Sequence, residues 1–182
     1  MKFLNLLILS LCFCACATSQ NIKNIDGQTK TIPVFMTGEK QRAAFKTTLE
    51  ADKKIYNFLL LANKKDGYLN FKIIGDFAAV LASVNLRGAA FEYESSSPIL
   101  TDQKAKQAFE EILLALFAPN ALDKHKYYFK KGESLPYKLK QKSEVADKTF
   151  LFKNYDGNIP QNITVTTKFN IVKVSFELLA HD

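Results

Sequence analysis

The chain's three cysteines, Cys12, Cys14 and Cys16, all fall within its first sixteen residues. A thiol in that position can be acylated, or can be apolar filler, since free cysteine packs as a small hydrophobe. No cysteine follows Cys16, so the body forms no internal disulfide and offers no thiolate to a metal. His125 and His181 are too far apart in sequence for a paired-ligand motif, and no HExxH, CxxC or GxSxG occurs. Glycine-rich phosphate loops are missing too. Glu110 and Glu111 are adjacent, so on a helix they point about 100° apart and do not form an acid–base pair. Ser95, Ser96 and Ser97 have no base close by in sequence. Asp123 to Tyr128 interleaves basic and aromatic residues, a pattern that can stack nucleic-acid bases, but in a chain placed outside the cytoplasm a half-exposed strand is the better account. The expectation is a non-enzymatic protein with no catalytic residue, no metal, no cofactor and no nucleic-acid partner.

The segments around Cys16 give its thiol a use. Lys2 is followed by a run from Phe3 to Phe13 that is apolar except for Asn5 and Ser10. A bilayer span needs about 20 apolar residues, so this run is too short to cross and fits an export signal over residues 1–15. Phe13-Cys14-Ala15-Cys16 resembles a bacterial lipobox, with Phe13 and Cys14 departing from the usual leucine and small residue. On that basis Cys16 is the lipidated first residue of the mature protein. Ala15-Cys16-Ala17 also fits the small-x-small site of ordinary signal peptidase, which leaves secretion from a Thr18 start as the alternative. Each buried methylene contributes about 0.8 kcal/mol, so one acyl chain holds marginally and the two or three of a lipoprotein hold firmly. Ala17 stands where an Asp would retain a lipoprotein in the inner membrane. The expected location is therefore the outer membrane, facing the periplasm, as a monomer.

Residues 16–30 are mostly polar and read as a tether, and residues 31–182 are long enough for one domain with a sizeable core. The chain carries 15 Phe, 7 Tyr and no Trp, and a net charge of +7 that fits either a soluble lysine-rich surface or anionic lipid. Alternation predicts strands over 31–37, 42–51, 54–62, 68–74, 77–86 and 89–94, a meander of hairpins punctuated by Asp66-Gly67, Gly75-Asp76 and Arg87-Gly88. From Thr101 to Phe117 the period changes. Ala105, Ala108, Phe109, Ile112 and Leu116 follow helical spacing, and Pro119 stops the run. Strands return over 126–130, 137–140 and 148–153. A last pair carries Ile163 and Val165, then Val172, Val174 and Phe176. Strands interrupted by one long helix make an α+β pattern.

That order, with Tyr68 to Gly75, Ile112 to Pro119 and Pro160 to Thr167 as its clearest stretches, resembles a family of bacterial outer-membrane lipoproteins with a LolA/LolB-like fold. Phe117 departs from it, standing where that family leads one to expect Trp. The resemblance implies a curved antiparallel half-barrel with the Thr101–Phe117 helix packed on its concave face. It also implies an acyl chain or lipidated partner held in the concavity. Phe71, Ile73, Phe77, Phe109, Ile112 and Leu116 would then line the cavity, or else form plain core. LolB-like proteins also need an exposed apolar residue on a protruding loop. Leu135-Pro136-Tyr137 is the segment considered for that part, although an ordinary turn explains it. The alternatives are a structural or assembly factor of an envelope complex with no ligand cavity and, third, an envelope enzyme.

Overall fold

The computed structural model describes residues 21–23, 29–31, 33, 35, 41–51, 53–95, 103–119 and 125–182. The export signal over 1–15, Cys16, Ser96 and Ser97, Thr101 and Asp123 lie outside the described residues. Within the stretch expected to be a plain tether, β1 (Asn21–Lys23) pairs with β2 (Thr29–Thr31) as a short antiparallel hairpin. Most of the strand expected over 31–37 lies outside the described residues. β2 ends at Thr31, and Phe35 beyond it is buried.

Among the described residues the body is a curved antiparallel sheet of ten strands with one α-helix. β3 (Arg42–Ala51), β4 (Lys54–Lys65), β5 (Tyr68–Ile74), β6 (Val80–Arg87) and β7 (Ala90–Ser95) form the first meander. Helix α1 (Gln103–Phe117) follows. A second meander contains β8 (His125–Phe129), β9 (Pro136–Gln141), β10 (Lys148–Asp156), β11 (Ile159–Thr167) and β12 (Val172–His181). The first meander grows outward from β3 and the second returns inward to β12, which closes on β3. The sheet order is therefore β7-β6-β5-β4-β3-β12-β11-β10-β9-β8. Tight two-residue turns set the register where the chain supplies glycine. Asp66-Gly67 joins β4 to β5 with Gly67 at φ 82, a left-handed position that costs glycine nothing. Register shifts in β5–β6, β6–β7, β8–β9 and β12–β3 bend the strands locally.

Period-2 alternation decides which residues face the helix. In β3, Phe45, Thr47 and Leu49 are buried while Lys46, Thr48 and Glu50 point to the other face. α1 lays Ala105, Ala108, Phe109, Ile112, Leu113 and Leu116 against the buried face. Its last residue, Phe117, joins an aromatic knot. The Phe117 ring centre lies 5.7 Å from Phe35, 5.8 Å from Phe45 and 5.1 Å from Phe71, and Phe45 touches Phe176 at 6.0 Å. Phe45 and Phe176 lie on β3 and β12, so this knot sits where the two meanders join.

Candidate functional site

Five of the six residues expected to line a cavity meet between α1 and the sheet. Phe71, Ile73, Phe109, Ile112 and Leu116 are all buried there. Phe109 packs on Phe58 with ring centres 6.3 Å apart, edge to face. Phe77 does not join them. It is fully exposed, at the tip of a 3-10 turn over Asp76–Ala78, and β6 begins only at Val80. The Gly75 amide donates to the Ala79 carbonyl at 2.9 Å, closing the turn. Inside it, Phe77 takes φ 58 and ψ 27. The turn thus runs on past Gly75-Asp76 and removes Phe77 from the alternating strand.

Phe169 repeats the arrangement. It is 83% exposed at φ 66, in the turn over Lys168–Asn170 between β11 and β12. Left-handed backbone costs an L-residue roughly 1–2 kcal/mol, so an exposed aromatic side chain at such a position is an outlier. The register places these turns at one end of the sheet. Val172 pairs with Ala51, which sets the Phe169 turn beside the β3–β4 turn, where Ile55 is 66% exposed. Across β4, the Phe77 turn leaves β5 toward the same end. Lys53, Lys54 and Lys168 accompany the apolar tips. Of Leu135-Pro136-Tyr137, only Leu135 lies in the connection; Pro136 and Tyr137 open β9, with Tyr137 exposed on the strand and not on a protruding loop. Pro136 is buried, and the Tyr155 phenol donates to its carbonyl at 2.5 Å.

The acidic pair on α1 reaches the two halves of the sheet. The Tyr93 phenol of β7 donates to Glu110 at 2.6 Å. Burial raises that phenol's pKa, and the Glu110 carboxylate raises it further. Glu111 turns the other way and pairs with Lys148 of β10. The histidines stay apart at opposite ends of the sheet. His125 starts β8 with its ring against Tyr127, while His181 near the end of β12 donates to the Phe35 carbonyl at 2.5 Å.

A polar ladder occupies the sheet face away from α1. Asn70 donates to Asn85 at 2.8 Å, and Asn85 and Ser83 donate to the Glu94 carboxylate at 2.7 and 2.8 Å. These bonds hold the Glu94 carboxyl below its usual range, first through Asn85, then Ser83, with Lys65 and Lys72 adding attraction. A depressed folded-state value confers stability above the unfolded value near 4.5, and that stability is lost as pH falls through the folded one. Glu94→Gln should therefore be less stable than the parent at pH 7. The gap should close below about pH 4.5, as followed by urea unfolding at a series of pH values.

A groove of about 680 Å³ lies at the ends of β8, β9, β10 and β11. Gln141, Lys148 and Thr167 are its buried lining residues, and Lys126, Lys140, Lys142 and Lys168 line it from exposed positions.

No family model and no curated protein matches the chain. A solved structure does resemble it: a domain assigned to outer-membrane lipoprotein sorting in Vibrio parahaemolyticus. That domain is 11% identical, with a TM-score of 0.40, over 79% of this chain and 84% of its own. At that identity no residue of the Vibrio domain carries a role over to this one. Among the described residues no helix is long and apolar enough to cross a membrane.

Proposed function

We propose that this chain is a non-enzymatic envelope protein, lipid-anchored at Cys16, that handles lipid or a lipidated partner at the outer-membrane surface facing the periplasm. The observation that carries the proposal is the pair Phe77 and Phe169, two aromatic side chains held in water on left-handed backbone at one end of the sheet. Strained positions persist where the side chain they present has a use, and a bilayer interface gives such a ring an apolar medium. Each lysine brought near an anionic bilayer adds about 1 kcal/mol, which suits Lys53, Lys54 and Lys168 beside the tips. The resemblance to LolB-like proteins anticipates an exposed apolar residue of this kind. The finer expectation, an acyl chain in a half-barrel under a helix on its concave face, requires α1 to move. Phe109 would have to leave Phe58, and Phe117 would have to leave Phe71.

The chain has no tryptophan, so Phe77→Trp and Phe169→Trp each create a single reporter. With the full chain on anionic vesicles, both reporters should shift to the blue and be quenched by brominated lipid. Emission that stays water-like while the chain is vesicle-bound would overturn the proposal. The double variant Phe77→Gly/Phe169→Gly should keep the fold and gain up to about 1 kcal/mol from relieved backbone strain, read by thermal unfolding.

A second possibility, an assembly factor without a ligand cavity, is favoured by the filled space between α1 and the sheet. Crosslinking separates the two. An assembly factor keeps a stoichiometric protein partner when both phenylalanines are glycine.

A further inference from the structure

The groove at the ends of β8 to β11 has features that neither the lipid-facing tips nor the core explains. Four of its lysines, Lys126, Lys140, Lys142 and Lys168, have no carboxylate partner among the described residues. Lys126 and Lys140, together with Lys138, place their ammonium nitrogens 5.4, 5.8 and 5.5 Å from the centre of the Tyr128 ring. A ring face attracts one cation well, but three cations around one ring also repel each other. The charges opposing them inside the groove are few. Asp147 is exposed and accepts from the Ser143 amide at 3.4 Å, and the buried Lys148 is already neutralised by Glu111. Field lines from cations concentrate in a concave, partly dry site, so this groove draws an anion more strongly than the same lysines on a flat surface.

A second observation narrows the ligand. Gln141 is 5% exposed and lines the groove, and its Oε1 is buried without a hydrogen-bond donor among the described residues. Buried acceptors are almost always satisfied, so an unsatisfied one in a residue that lines the groove is a place where a ligand reaching in past the strand ends would bring a donor. Lysines ask for an anion, and Gln141 asks for an O–H or N–H beside it. Thr149 and Thr166, also lining the groove, add hydroxyls that can donate to anionic oxygens. We propose that this groove binds a phosphate ester that also carries a hydroxyl group. The ester oxygens would meet Lys140 and Lys168, and the hydroxyl would donate to Gln141. The chemistry is shared by a phospholipid headgroup and by a free phosphorylated polyol. The proposal does not depend on whether Phe77 meets a bilayer.

Calorimetric titration of the full chain in non-ionic detergent tests it with three probes: inorganic phosphate, glycerol 3-phosphate and dihexanoyl-phosphatidylglycerol. Glycerol 3-phosphate or the short lipid should bind more tightly than inorganic phosphate, and more weakly as salt rises. The tighter of the two identifies a free or a lipid source. Lys140→Gln/Lys168→Gln should weaken binding by about tenfold or more, the weight of one charge-assisted hydrogen bond. Gln141→Met should weaken binding while raising the unfolding temperature of the ligand-free protein, because it removes the unsatisfied acceptor. A purely structural glutamine would change stability alone, and a non-specific basic surface would respond to the lysines alone. Equal affinity in Gln141→Met, or no binding of any probe, would overturn the proposal.

Discussion

Glu111→Ala should destabilise the fold by about 3–5 kcal/mol, far more than the loss of a surface ion pair. The reason is its partner. Lys148 is the first residue of β10, on the same face as Phe150 and Phe152, and it is 1% exposed. Among the described residues its ammonium group has two neighbours to satisfy it, the Glu111 carboxylate and the Ala146 carbonyl at 3.0 Å. Removing Glu111 leaves the ammonium in the interior with one neutral acceptor, and neither α1 nor β10 can turn it to water without unpacking. Glu111 keeps a quarter of its side chain exposed, which puts the effect toward the lower end of the range. Urea unfolding of the purified chain measures it. The double replacement Glu111→Gln/Lys148→Met removes both charges and should be near neutral or more stable. A loss below about 1 kcal/mol in Glu111→Ala would mean that the ammonium reaches solvent by another route.

Lys148 also shows what the sequence could and could not disclose. The alternation in 148–153 was legible, and its parity already put Lys148 on the face of Phe150 and Phe152. What was not legible was that a helix residue 37 positions earlier would meet it. The same holds across the fold. β3 and β5 run over the spans that their alternation predicted, and α1 ends at the predicted Phe117. Alternation names the face a residue takes but not the strand beside it, so the pairing of β12 with β3 could not be read in advance. Phe77 failed for a different reason. A phenylalanine after Gly-Asp looks like the start of a strand, and nothing local announces that an aromatic residue will occupy the left-handed region. The groove was missed because its exposed lysines come from β8, β9 and the connections after β9 and β11, and look like solvated surface one at a time. Gln141 carried a usable signal, since it follows Leu139 on the buried face of β9.

Phe117→Ala should cost about 3–5 kcal/mol, although Phe117 is the last residue of its helix. Helix ends fray and usually tolerate truncation, so a loss of this size would come from the sheet rather than from α1 itself. Phe117 touches Phe35, Phe45 and Phe71, the last two on strands of the first meander, and Phe45 in turn touches Phe176 of β12. Removing its ring unseats α1 at the point where the two meanders close. A double-mutant cycle of Phe117→Ala with Phe71→Ala should return a coupling of about 0.5–1.5 kcal/mol, the edge-to-face contact beyond its burial. The same variant bears on function. A filled interior excludes an apolar probe until a ring is removed, and a dry cavity made by truncation accepts one. Binding of a fluorescent fatty acid should therefore be weak in the parent and stronger in Phe117→Ala. Strong binding in the parent, with a stability loss below about 1 kcal/mol in the variant, would mean that α1 lifts from the sheet readily and that the interior opens to an acyl chain.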